Sequence, residues 1–347
     1  MIQEANYIFW GTGRVARNFY KKYHENRGVL KKPLFWCDNN PALQGTFMDG
    51  VEVVSSKKVA ELSEEFYRKS MPLAIVIGAA GINLLQIVSQ LEQMEIKAKL
   101  YSSVQLDAAV YFGEEAEKVN LIYDMLEDDK SKQTYQSMVE NMRLGRCVDF
   151  SLAEPNQYFG NDIIPILSSQ EVFVDAGVCQ GEEIDRALAM SPDISVHAFE
   201  PDTASFRRLQ EKYQSFGNIA LHPQALWHKH EYMSFSSNSL PSASRVTENE
   251  RTAINRESSV ECIPLDDALR GNRVSLLKMD IEGAEYNALQ GAEGIIKEWH
   301  PKLAICIYHN LEDYVRIPLL LYSMVTGYRF FFRQHSVTSG ESVLYAL

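Results

Sequence analysis

A chain of 347 residues is longer than one hydrophobic core usually sustains, so more than one domain is expected. Its 46% hydrophobic and 23% charged residues match a soluble folded protein and exclude a disordered or fibrous one. A net charge of −12 lacks the basic footprint that neutralises phosphates, which argues against nucleic acid and anionic membranes as partners.

No apolar stretch approaches the roughly 18–20 residues needed to cross a bilayer, and the opening MIQEANYIFWG has no basic segment leading into an apolar one. A cytoplasmic protein without membrane insertion is expected. Cys37, Cys147, Cys179, Cys262 and Cys306 are odd in number, scattered and free of C-x-x-C pairs, which fits reduced buried thiols.

Tyr7-Ile8-Phe9-Trp10 reads as a buried strand, and Gly11-Thr12-Gly13-Arg14-Val15-Ala16 as a G-x-G-x-x-A turn into a helix reaching Tyr23. Pro33–Cys37 is a second strand, and it ends at Asp38. The interval from Gly13 to Asp38 is close to the one at which a Rossmann unit places its ribose-binding acid. Strands at 73–78 and 98–101 flank a helix over 82–94, so residues 1–112 read as a small doubly wound α/β domain. Gly11, Gly13, Arg14 and Asp38 are its candidate nucleotide or nucleotide-sugar contacts. Residues 113–148 read as a helical connector, with Val119, Ile122, Tyr123 and Leu126 on one face and Asp128–Ser131 starting a second helix.

From 149 to 347 a second α/β pattern begins. Val172-Phe173-Val174 leads through Asp175-Ala176-Gly177-Val178-Cys179-Gln180-Gly181 into a helix over 182–190. The next strand ends at Glu200, which follows Asp175 by the same interval that separates Asp38 from Gly13. Further strands are read near 219–221, 260–263, 274–279 and 303–308, and the closing runs 328–332 and 342–346 form an antiparallel hairpin. A phosphate at this turn would meet Asp175, Glu182 and Glu183, whereas the first turn carries Arg14 and Arg17 and no acid. A cationic ligand with a ribose diol, such as S-adenosylmethionine, suits the second turn, with Asp175, Gly177, Gly181 and Glu200 as its contacts.

Asp280, Glu282 and Glu285 lie just past the strand 274–279, the edge where open α/β sheets bind ligands. Glu282 and Glu285 share a helix face if a helix begins there. His309 follows the next strand at the same edge, and these four residues are the candidates for general acid–base work. His335 falls in the last hairpin turn, and His222, His228 and His230 read as exposed loop residues. No metal-ligand spacing is read, and whether a divalent metal is needed stays open.

Together, Phe173–Gly177 with Gly181, Phe199-Glu200-Pro201, Leu265-Asp266-Asp267, Lys278–Glu285, Tyr308-His309 and the ending Ser342–Ala346 resemble the FkbM family of S-adenosylmethionine-dependent methyltransferases over roughly 149–347. The resemblance implies a class I methyltransferase sheet of seven strands with a C-terminal antiparallel hairpin, and O-methylation of hydroxyls on sugars, glycan precursors or natural-product scaffolds. It implies Asp175 and Gly177 at the methionine part, Glu200 at the ribose and Asp280–Glu285 at a small-molecule or glycan acceptor. Cys179 stands where many class I enzymes carry a third glycine. The polar segment Ser234–Asn255 would be a substrate-recognition loop.

Two alternatives stay open: a non-catalytic nucleotide- or nucleotide-sugar-binding protein, and an NAD-dependent sugar epimerase or dehydrogenase using the first turn. The short-chain form of the latter is disfavoured, because no tyrosine has a lysine four residues after it. Oligomeric state is not legible.

Overall fold

The computed structural model describes residues 6–28, 30–79, 81–144, 152–236, 245–247, 259–336 and 340–347. The chain divides into two compact units, Met1–Glu114 with Met142–Arg146, and Glu115–Asn141 with Cys147–Leu347.

The first unit runs β1 (Asn6–Trp10), α1 (Arg14–Tyr20), β2 (Phe35–Cys37), β3 (Phe47–Met48), β4 (Val51–Val54), α2 (Ser56–Arg68), β5 (Leu73–Ile77), α3 (Gly81–Gln93), β6 (Lys99–Ser102) and α4 (Ser103–Glu114). α1 continues as a π-helical stretch, Lys21–Asn26. The sheet order is β3-β4-β2-β1-β5-β6, parallel except for the β3–β4 pair. Its central strands are apolar throughout because successive side chains enter opposite faces and both faces are covered. Tyr7, Phe9, Ala74 and Val76 enter one core, and Ile8, Trp10, Ile75 and Ile77 the other. β4 adds a strand that the pattern of the sequence does not announce, because Glu52 interrupts its apolar run.

The second unit runs α5 (Ala116–Met125), α6 (Asp129–Leu144, to Asn141 in this unit), β7 (Val172–Ala176), α7 (Glu182–Met190), β8 (Ser195–Phe199), α8 (Thr203–Tyr213), β9 (Ile219–His222), β10 (Ala225–Leu226), β11 (Glu231–Ser236), β12 (Arg245–Thr247) and β13 (Ser259–Ile263). It continues through α9 (Leu265–Ala268), β14 (Leu276–Met279), α10 (Glu285–Gln290), α11 (Glu293–Trp299), β15 (Lys302–Cys306), α12 (Asp313–Met324), β16 (Phe330–Gln334) and β17 (Ser342–Ala346). Its main sheet has the order β16-β17-β15-β14-β7-β8-β9, and only β17 runs against its neighbours. This is the class I methyltransferase topology expected from the sequence. A smaller sheet, β10-β13-β11-β12, is formed by the segments between β9 and α9.

The helices of the stretch read as a connector pack into this unit. Glu127 donates its N–H to Phe330 O at 2.8 Å, and Tyr135 OH donates to Tyr314 O at 3.0 Å. Asp128 accepts from the N–H of Ser131, capping α6, and receives Arg333, a buried guanidinium that also binds Asp162 at 2.8 Å. Of Ser234–Asn255, Ser234–Ser236 end β11 and Arg245–Thr247 form β12, and the rest lies outside the described residues, as does Cys147. Cys37, Cys262 and Cys306 are buried free thiols, whereas Cys179 is only half-buried. No helix among the described residues is long and apolar enough to cross a membrane.

Candidate active site

At the C-terminal edge of the second sheet, the chain leaves β7 through two glycines with left-handed backbone, Gly177 at φ +84° and Gly181 at φ +80°. A Cβ on Gly177 would sit 1.8 Å from Asp280 O, and one on Gly181 would sit 2.4 Å from the Tyr213 hydroxyl. Both positions therefore require glycine, for space as well as for φ. Cys179 between them also has positive φ, +52°, so the position of the usual third glycine keeps its backbone shape with a side chain attached.

Glu200, at the end of β8, holds this loop from the side. Its Oε2 accepts the Cys179 N–H and its Oε1 the Asp202 N–H, each at 2.8 Å. Burial pushes its pKa up. Each oxygen retains a lone pair for a further donor, which is what a ribose diol requires.

Asp175 is fully buried below the loop, paired at 2.8 Å with Lys278 of β14, whose side chain is equally hidden. Lys278 also donates to Gly177 O at 2.7 Å. Burial opposes the lysine's charge, but Asp175, Asp280 and Glu183 outweigh it and hold Lys278 protonated. The electrostatic expectation thus needs correcting: Asp175 is neutralised by Lys278, and Glu183 lies 3.8 Å from Arg186. Of the three carboxylates counted from the sequence, Glu182 alone is exposed.

Asp280 follows β14 directly. Its Oδ2 accepts from Tyr158 OH at 2.7 Å and its Oδ1 from Tyr308 OH at 3.3 Å. From the end of β15, His309 reaches the same point. Its Nδ1 lies 2.9 Å from Glu285 Oε1, and its Nε2 lies 3.4 Å from Asp280 Oδ1 and 3.7 Å from Glu282 Oε2. Burial lowers the histidine's pKa, but the Glu285 hydrogen bond and the three carboxylate charges outweigh burial and raise it to about 9. At neutral pH His309 is therefore an imidazolium, and it must lose that proton before it can serve as a base. α10 begins at Glu285, and Glu282 precedes it with φ +57°. The two acids do not share a helix face; the turn brings them to His309 from different sides.

Residues 175–330 match the family described as the methyltransferase FkbM domain. That stretch is similar to an FkbM methyltransferase domain. The fold of the chain is similar to that of a crystallised methyltransferase FkbM from Methylobacillus flagellatus KT, with a TM-score of 0.62 at 18% identity, covering 99% of this chain and 90% of that one. An rRNA methylase from Streptococcus thermophilus is similar at 16% identity and TM-score 0.32, over 52% of this chain and 89% of its own. No curated protein matches the chain.

In the second unit, sequence reasoning gave no role to Lys278, Tyr158 or Tyr308. Lys278 carried a usable signal: a lysine inside the run Leu276-Leu277-Lys278-Met279 must find a buried acid, and the ladder places it directly opposite Asp175. Tyr158 comes from an irregular segment remote in sequence and carried none. Asp266 is an anchor for α11, accepting the N–H groups of Gly294 and Ile295 at 2.8 Å. His335 is structural, with Nδ1 2.9 Å from Glu154 O and Nε2 2.9 Å from Tyr345 OH. His228 and His230 are exposed, the latter paired with Asp267, but His222 is half-buried at the end of β9, where its ring stacks on Phe199.

In the first unit, Gly11 has φ +100° and Gly13 caps α1 without a side-chain hydrogen bond. A Cβ on Gly78 would lie 2.2 Å from the Ala16 Cβ, so the small third residue of the turn lets α1 approach the end of β5. Arg14 is exposed. Asp38 faces the turn: its Oδ2 accepts the Thr12 N–H at 2.9 Å and the Thr12 hydroxyl at 2.6 Å. A cavity of about 400 Å³ opens there, lined by Trp10, Gly11, Asp38, Asn39 and residues of α3.

Proposed function

We propose that this protein transfers a methyl group from S-adenosylmethionine to a hydroxyl of a sugar, glycan precursor or natural-product scaffold. The observation that carries the reading is the meeting, at one sheet edge, of the Gly177–Gly181 loop and Glu200 with Asp280, whose backbone oxygen lies against Gly177. The loop would receive the methionine part and Glu200 the ribose hydroxyls. Asp175 acts from below, through Lys278, which ties the loop to β14.

The donor supplies an electrophilic methyl on a sulfonium. The acceptor oxygen forms a bond to that carbon as the carbon–sulfur bond breaks and its electron pair stays on sulfur. The acceptor's proton passes to a carboxylate of Asp280 or Glu282, and His309, carrying its own proton, orients them. Placing the two reactants in line accounts for most of the acceleration.

Calorimetry with S-adenosylhomocysteine tests the reading: saturable binding that Glu200→Ala weakens at least tenfold is expected. Binding of NAD in its place at this edge rejects it. Labelled donor incubated with extracts containing surface-glycan precursors, followed by mass spectrometry, identifies the acceptor. The cavity at Gly11 and Asp38 supports a second site, for a nucleotide or nucleotide-sugar, in the first unit.

A further inference from the structure

We propose that the second unit binds a divalent metal ion between β14 and β15, held by Asp280, Glu282 and Nε2 of His309, with Glu285 fixing the imidazole from behind. Asp280, Glu285 and His309 each bring one donor atom within 4.8 Å of the others, and Glu282 Oε2 stands 3.7 Å from His309 Nε2, so three carboxylates converge on one imidazole.

The two sides of the imidazole differ. On the Nδ1 side, Glu285 Oε1 is 2.9 Å away, itself fixed by the Ile281 N–H at 2.8 Å. That is the carboxylate–histidine arrangement that sets the tautomer of a metal-ligating imidazole and leaves Nε2 for the ion. On the other side, Nε2 belongs to a side chain only 8% exposed; like Nδ1 it lacks a well-aligned hydrogen bond among the described residues, and its carboxylate neighbours stand farther off than Glu285 does from Nδ1. Its neighbours, Asp280 Oδ1 at 3.4 Å and Glu282 Oε2 at 3.7 Å, stand too far off for good hydrogen bonds. They are close to the separation of about 3.0–3.4 Å between ligands that each lie about 2.1 Å from a shared ion. A buried nitrogen facing two carboxylates across such a gap has the spacing of ligands arranged around a cation.

The Tyr158 hydroxyl holds the second oxygen of Asp280 and so orients the carboxylate. Binding of the ion would displace the proton that His309 otherwise carries, so two carboxylates and a neutral imidazole balance a 2+ charge and leave coordination positions open. Resting on the methyltransferase reading, those positions would take the acceptor: a hydroxyl with a second oxygen on the adjacent carbon, as in a vicinal diol, would chelate the ion and give up its proton more readily to the carboxylate oxygen of Glu282 that is not on the ion.

The test uses the full chain and Mn²⁺ alone. Electron paramagnetic resonance titration should show one saturable site, weakened at least tenfold by Asp280→Asn and by His309→Gln, and about 10–100-fold by Glu285→Gln acting through the imidazole. Absence of a saturable site in the unmodified protein, or full affinity in Asp280→Asn, overturns the proposal. A crystal soaked in MnCl₂ needs no variant: anomalous density beside His309 Nε2 supports the site, and ions found only elsewhere overturn it. S-adenosylhomocysteine binding is measured separately. Donor binding without a manganese site removes the metal and leaves the methyltransferase; a manganese site without donor binding does the reverse.

Discussion

Removing both partners of the Asp175–Lys278 pair should destabilise the second unit by less than the two single losses added together. The charges are 2.8 Å apart with side chains 0% and 2% exposed. At an effective dielectric near 20, their attraction is about 6 kcal/mol, most of it consumed by desolvation. An orphaned buried charge costs about 3–5 kcal/mol, so Asp175→Asn, which strands the lysine, should cost about that much. Lys278→Met should cost about 1–2 kcal/mol more, because the bond to Gly177 O disappears as well. The double variant strands no charge, so its loss should fall short of the sum of the singles by about 2 kcal/mol or more. Urea unfolding followed by circular dichroism gives all three values. Single losses below about 1 kcal/mol, or a double variant equal to the sum, would refute the view that these two groups exist mainly to cancel each other.

Gly177→Ala should reduce S-adenosylhomocysteine affinity at least tenfold in calorimetry, because the new carbon collides with Asp280 O, whereas Gly13→Ala meets nothing within 4 Å and should change stability by less than about 1 kcal/mol. Burial, helped by the nearby Arg333, lowers the His335 pKa to about 4. Its neutral form is favoured on folding, so stability is full above about pH 6.5 and falls as pH drops towards 4, by up to about 1.4 kcal/mol per unit. Urea midpoints at pH 7 and 5 should show the loss, and His335→Gln should shrink it. Arg333→Leu should cost about 2–4 kcal/mol in the same assay, because Asp128, Asp162 and the Ser131 hydroxyl lose a shared buried donor.

Much of the sheet architecture is legible in the sequence because β1, β5, β7, β14 and β15 are buried on both faces and leave long apolar runs. β4 is hidden by Glu52, and β10 and β12 by their brevity, since segments so short carry no periodicity. The continuation of α1 as a π-helix has no local signature. Of the candidate site, the residue types at the sheet edge can be read from the sequence, but not their charge states. Asp175 reads as a free anion until the register sets Lys278 opposite it, and His309 reads as a base until three carboxylates close around it. Both corrections arise from contacts between separate elements of the fold, which local spacing does not reveal.

The missing side chain at Gly177 couples two segments of the proposed site. The backbone of the Gly177–Gly181 loop, proposed to hold the donor, rests on the Asp280 peptide that leads into the proposed acceptor wall, so a shift of one drags the other. Attempts to widen substrate scope should therefore remodel the region beyond residue 282 and leave the 177–280 junction intact, since any wedge there loosens the grip on both reactants at once.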